Sequence, residues 1–121
     1  KGLKLVAAKF CQPKVEVVRN HYAEHKEKPF YQELCQFISQ GPVFCMVWQG
    51  PEAVKIGRAL VGVTSPVESA AGTIRGDFGV VTQKNLVHAS SSIVDAEREC
   101  NLWFAPDEFV AWDQTVAGWT Y

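Results

Sequence analysis

Pro42 to Trp48 reads "PVFCMVW", a continuous apolar run closed by Gly41 on one side and by Gln49-Gly50-Pro51 on the other. A run this short, with turn residues at both ends, is a strand, and its lack of alternation predicts burial on both faces at the centre of a sheet. Such a strand needs neighbours to pair with and apolar helix faces to cover it. The rest of the chain is therefore read for what it can place around Pro42–Trp48.

Leu3 to Phe10 is short and apolar and stops at Gln12-Pro13, so it is expected to be a second strand. Val15, Val18 and Tyr22 recur at helical spacing between Lys14 and Lys26, with Glu24, His25 and Lys26 turned to water. A second helix is expected over Lys28 to Gly41, with Pro29 near its start and Phe30, Leu34, Phe37 and Ile38 on one face. Pro51 to Gly62 is a third, opened by proline and closed by glycine. Val63 to Gly76 is rich in small residues without apolar period and is expected to be a long loop, a kind of segment that usually carries function. Asn85 to Ser90 is expected to be a short strand, followed by a helix over Ser92 to Phe104 capped by Ser91 or Ser92. The aromatic tail from Val110 to Tyr121 is expected to pack. Together these elements predict an α+β fold, a small antiparallel sheet covered by helices. Two long strands and one short one are few for so much helix, which points to a partner strand absent from this chain.

The 121 residues suit one domain, and 12 basic against 13 acidic side chains give a net charge of -1. That balance leaves no electrostatic footprint for nucleic acid or an anionic membrane. Any bound anion must be held by local geometry. Cys11, Cys35, Cys45 and Cys100 form no C-x-x-C pair and fall in apolar patterns, as reduced core cysteines do. No apolar run approaches the roughly 20 residues of a membrane span, and the first residues lack signal-peptide architecture, so a cytoplasmic protein is expected. No histidines or cysteines have ligand spacing, so no protein-built metal site is expected, and neither a P-loop nor a dinucleotide glycine motif is present.

The chemistry concentrates around "LVHASSSIVDAERE", Leu86 to Glu99. His88 stands between an apolar dipeptide and small residues that leave room for a ligand, whereas His21 and His25, in a polar helical stretch, are read as structural. Arg58 in "KIGR", Thr64 in "VGVTSP" and Arg75 in "GTIRGDF" offer two guanidiniums and a hydroxyl, a set suited to a phosphate chain. Glu99 follows His88 by eleven positions. A carboxylate holding one imidazole nitrogen would fix the tautomer and leave the other to attack, and a solvated helix face is the competing role for "DAERE".

"FCMVWQGPEAVKIGRALVGVTSP", "GTIRGDFG", "NLVHASSS" and "AERECNLWF" resemble, in order and over Leu3 to Tyr121, the nucleoside diphosphate kinases. The resemblance implies a ferredoxin-like sheet and the transfer of a terminal phosphoryl group from a nucleoside triphosphate to a nucleoside diphosphate, ping-pong, through a phosphohistidine. It makes His88 the nucleophile, Glu99 the residue orienting its ring, Ser90 an assistant and Tyr22 the tyrosine near the histidine. It assigns Arg58, Thr64 and Arg75 to the phosphates, Asn85 to the ribose, Phe30 to stacking on the base and Leu34 to the wall of the base cleft. Mg²⁺ carried mainly by the nucleotide phosphates and assembly into a homo-oligomer, a hexamer first among the choices, are also implied, with Pro66 in the loop that joins subunits. The family's opening strand, which bears a Lys-Pro-Asp motif, has no counterpart here. Residues 1–121 are thus expected to be a kinase domain incomplete at its N-terminus, without the central strand of the sheet. Ser91 stands where the family usually has aspartate, Ala89 where it has glycine, and Val63 and Ser65 also depart. The missing carboxylate would weaken Mg²⁺ positioning, which keeps a catalytically weak or inactive nucleotide-binding and assembly module of the same fold as the alternative.

Overall fold

The structure, a computed structural model, describes residues 1–120. It divides into two compact units, Lys1–Gly50 with the chain from Arg98 onward, and Pro51–Glu97.

In the first unit, β1 (Lys4–Cys11) and β2 (Val43–Gln49) pair antiparallel, with Lys4 opposite Gln49 and Cys11 opposite Val43. The register slips between Leu5 and Ala7, leaving Val6 as the extra residue of a bulge. Its carbonyl accepts the Val110 N–H at 2.8 Å. The Trp112 indole donates to the Leu5 carbonyl at 2.8 Å, and Lys4 Nζ donates to the Trp112 carbonyl at 2.7 Å. Glu108 accepts from Lys9 Nζ at 3.0 Å and from the Ala105 N–H at 2.8 Å, and these bonds, the backbone one first, hold its carboxyl below the usual range.

Helix α1 (Val15–His21) is shorter than its apolar spacing predicts. Tyr22 leaves helical geometry at φ -100° and ψ 20°, and the chain tightens into a 3₁₀ turn over Ala23–His25. Helix α2 (Tyr31–Ser39) begins after Phe30, which is its N-cap residue. Val18 is fully buried, and Ala7, Cys35 and Phe104 complete the apolar core of the unit. On α2 it is thus Cys35 that reaches the core, while Leu34, Phe37 and Ile38 are half-buried. The cysteines are free thiols, as expected, and burial with Cys11 alongside pushes the Cys45 thiol up to about 11.

The expectation of a strand buried on both faces is corrected. Phe44, Met46 and Trp48 are exposed, as is Phe10 opposite Phe44, while Ala7, Val43, Cys45 and Val47 turn inward. An unbroken apolar run hides the alternation that half-burial produces, because both faces carry the same residue class. The tail also departs from expectation. Trp112 is engaged with β1, but Trp119 in the short helix α6 (Ala117–Thr120) is 92% exposed. Tyr121 lies outside the described residues.

In the second unit, α3 (Ala53–Val61) ends at Gly62, whose φ of +99° is a conformation that favours glycine. A Cβ there would meet Ser69 Oγ at 2.8 Å. The segment expected as a loop carries a 3₁₀ turn over Pro66–Glu68 and then α4 (Ile74–Phe78), capped by Thr73 Oγ1, which accepts the Gly76 N–H at 3.0 Å. Pro66, the first residue of the 3₁₀ turn, is fully buried. Helix α5 (Ile93–Trp103) starts in this unit and ends in the first, and Ser92 Oγ caps it by accepting the Asp95 N–H at 3.0 Å. No helix among the described residues is long and apolar enough to cross a membrane.

Truncating Val18 to alanine is expected to cost about 2 kcal/mol, the scale of a buried valine's lost transfer and packing energy. Val15→Ala, at an exposed position of the same helix, should stay within about 0.5 kcal/mol of the parent. Urea unfolding of the two variants measures the difference.

Candidate active site

Asn85 to Ser90 is irregular rather than a strand, a further correction to the sequence expectation. Leu86 has a φ of +76°, which breaks the extension, and the carbonyls on either side of it point to a side chain instead of a neighbouring strand. That side chain is Arg75. Its Nε donates to the Asn85 carbonyl at 3.2 Å, Nη1 to the carbonyls of Gly62 and Val63 at 3.3 Å each, and Nη2 to the Val87 carbonyl at 2.6 Å. Only 7% of the residue is exposed. A planar guanidinium presents donors in a fixed fork, so one side chain can hold the end of α3 and the approach to His88 together.

Arg58, in the last turn of α3, donates from Nη1 to the Ala89 carbonyl at 3.2 Å. The main chain is consequently held by an arginine immediately before His88, at Val87, and immediately after it, at Ala89. Asn85 Nδ2 adds a bond to the Thr64 carbonyl at 3.0 Å, which ties the segment to the turn after α3. The imidazole of His88 is itself exposed on this braced backbone, with Ser90 half-buried two residues on. The second unit thus brings Arg58, Thr64, Arg75, Asn85, His88 and Ser90 into one network of contacts and chain neighbours.

The Ser91 hydroxyl donates to the carboxylate of Asp95, in the first turn of α5.

The remaining candidates lie in the first unit. Tyr22 closes α1 and meets His21 edge-on, with centroids 4.5 Å apart. Phe30 is 45% exposed at the head of α2, and Leu34 lies half-buried one turn further along. Glu99 is buried on α5, its Oε2 3.7 Å from the guanidinium of Arg98. Arg98 also donates to the carbonyls of Asn20 and His21, at 3.2 and 3.3 Å.

Three residues of this neighbourhood were not singled out from the sequence. His21 is buried, and its Nδ1 accepts from the Trp103 indole at 2.9 Å. An indole N–H only donates, so Nδ1 carries no proton. Arg98 and Trp103 were hidden among the charged and apolar residues of α5. The signal for His21 was present, because it follows Val18 by three positions and so shares that residue's buried helix face.

A family model described as nucleoside diphosphate kinase matches residues 1–109. The nucleoside diphosphate kinase of Schizosaccharomyces pombe is 50% identical over all 121 residues, which cover 80% of its length. Human nucleoside diphosphate kinase 3 is 48% identical, with all of this chain and 72% of the human protein covered. Among solved structures, a nucleoside diphosphate kinase family protein from Babesia bovis shares 68% identity at a TM-score of 0.96, covering 99% of this chain and 81% of its own. The Halobacterium salinarum enzyme, solved in complex with CDP, shares 45% identity at a TM-score of 0.95, covering 99% and 80%.

The chain belongs to the nucleoside diphosphate kinase family. Its antiparallel strands and helices are an α+β, ferredoxin-like arrangement shared with these structures, and its activity is phosphoryl transfer between nucleotides.

Replacing Arg75 with alanine is expected to destabilise the protein by about 3 kcal/mol or more, since several buried carbonyls lose their donor at once. Arg58→Ala, which removes one such bond, should cost about 1 kcal/mol. Thermal unfolding of both variants tests the order.

Proposed function

We propose that His88 is the nucleophile of a two-stage transfer. One imidazole nitrogen attacks the γ-phosphorus of a nucleoside triphosphate, an N–P bond forms, the bond from that phosphorus to the β–γ bridging oxygen breaks, and the nucleoside diphosphate leaves. A terminal oxygen of a second nucleoside diphosphate then attacks the same phosphorus, breaking the N–P bond and restoring the free imidazole. Phosphoryl transfer asks a protein mainly for position and charge. The observation that carries the proposal is the bracing of the main chain on both sides of an exposed His88 by Arg75 and Arg58. A nucleophile fixed at its backbone presents its nitrogen at one place.

In this reading Glu99 is the buried carboxylate that orients the imidazole, with Ser90 and Tyr22 assisting. Arg58 and Thr64 bind phosphate oxygens, and Arg75 adds positive charge while it holds the loops. Asn85 contacts the ribose, Phe30 stacks on the base and Leu34 walls the cleft. Stacking on a ring face accepts any base, so broad nucleotide use follows. Mg²⁺ arrives as part of the substrate, on the nucleotide phosphates. The donor set supports this. Two guanidiniums, a hydroxyl and an amide suit phosphate oxygens, whereas Asp77 accepts the Gly72 N–H at 2.8 Å and Asp95 is engaged by Ser91.

In this proposal residues 1–121 belong to a kinase domain, in the cytoplasm and as a homo-oligomer, a hexamer being favoured by the family likeness. The exposed apolar side chains of Phe10, Phe44, Met46 and Trp48 support association.

Incubation with a γ-labelled nucleoside triphosphate and Mg²⁺ is expected to give an acid-labile phosphoenzyme. His88→Ala should give none and lose transfer activity on the order of 10³-fold or more. A folded parent that binds nucleotide and stays unlabelled would overturn the nucleophile assignment.

A further inference from the structure

We propose that His25 is a positioning residue for the nucleotide base, acting through Phe30. The inference rests on Phe30 being the surface on which the base stacks. Three rings line up between the end of α1 and the start of α2. His25 stacks on Tyr22 with centroids 6.5 Å apart and planes at 29°, and meets Phe30 at 5.6 Å and 53°. The order is graded by exposure, with Tyr22 and His25 half-buried and Phe30 45% exposed. The outermost ring therefore stands on an inner support.

Hydrogen bonding does not account for where the His25 ring sits. Its Nδ1 is buried without a hydrogen-bond partner among the described residues, and its Nε2 lies 3.6 Å from the Glu24 carboxylate, beyond hydrogen-bond distance. Its ring is flanked instead by the rings of Tyr22 and Phe30, beside the Glu24 carboxylate. A buried nitrogen left unpaired weakens the fold, so a histidine is a poor choice if filling space were the only role. The backbone links the two residues as well, since the Lys28 N–H donates to the His25 carbonyl at 2.8 Å and so fixes the turn that leads to Phe30.

Phe30 precedes α2 and has few restraints of its own. Its described ring contacts are His25 and the Lys28 ammonium, 5.7 Å from its centroid. A half-exposed ring that is free to turn must be immobilised when a base stacks on it, and that ordering weakens binding. A flat ring behind it removes much of this loss in advance. The benefit is confined to substrates that carry a base.

The test uses the full chain and two phosphoryl acceptors, a nucleoside diphosphate and ribose 5-diphosphate, which has the phosphates and no base. His25→Ala is expected to raise KM for the nucleoside diphosphate about two- to tenfold, the range of an aromatic pair's contribution, and to leave kcat and the KM for ribose 5-diphosphate unchanged. His25→Phe, which keeps a flat ring, should return KM to the parent value. Phe30→Ala is the companion variant and should raise KM for the nucleoside diphosphate alone. If Phe30→Ala shows that selectivity while His25→Ala impairs both acceptors equally or neither, His25 is not a positioning residue. If Phe30→Ala itself fails to distinguish the acceptors, Phe30 is not the base platform, and the proposal falls with it.

Discussion

The guanidinium of Arg75 is the interaction on which the second unit depends. Gly62 and Val63 close α3, Asn85 and Val87 lead into His88, and these stretches have no strand partner for the carbonyls that meet in this buried place. Backbone carbonyls taken out of water need donors, and here one charged fork supplies four. The site follows from that. Leu86 can hold its left-handed conformation because the carbonyls flanking it are already bonded, and His88 begins where the fork ends.

How far the sequence discloses this structure depends on whether the deciding contact is local. The strands at Leu3–Phe10 and Pro42–Trp48, the glycine stop of α3 and the Ser92 cap of α5 are written in neighbouring residues and were legible. The irregular run at Asn85–Ser90 was not, since "NLVH" alternates like a strand and the side chains that take up its carbonyls, Arg75 and Arg58, lie ten or more positions away in sequence. Helix α4 was missed because Gly76 interrupts a pattern otherwise started by Thr73, and a cap outweighs one weak helix former. His21 is buried and bonded, as a structural histidine is, but the partner that fixes it, Trp103, stands 82 positions away and could not be read from its neighbours. For the candidate site, residue identities were legible through resemblance to a family, whereas the way Arg58 and Arg75 grip the main chain beside His88 was not.

A chain of net charge -1 that handles polyphosphates has to concentrate positive potential locally rather than over its surface. Under the proposed function two arginines of one unit would do this while their N–H groups brace the backbone, so that charge and geometry would come from the same atoms. The pairing of Ser91 with Asp95 shows similar economy. A carboxylate stands close to the serine run, and the Ser91 hydroxyl bonds to it across one helical turn.

The bulge at Val6 bears on how the molecule is made. Bonds from Val110 to Val6, from Trp112 to Leu5 and from Lys4 to Trp112 fasten the start of β1 to residues late in the chain, 107 and 108 positions apart for the last two. Closing a loop that long costs entropy that grows only slowly with its length but must be lost before any of these contacts forms. On a ribosome, β1 and β2 emerge and can pair long before residue 112 exists. During that interval the first half of β1 keeps an unsatisfied edge and an apolar face, which makes nascent-chain contacts, more than any weakness of the finished fold, the stage at which this protein is most open to mispairing.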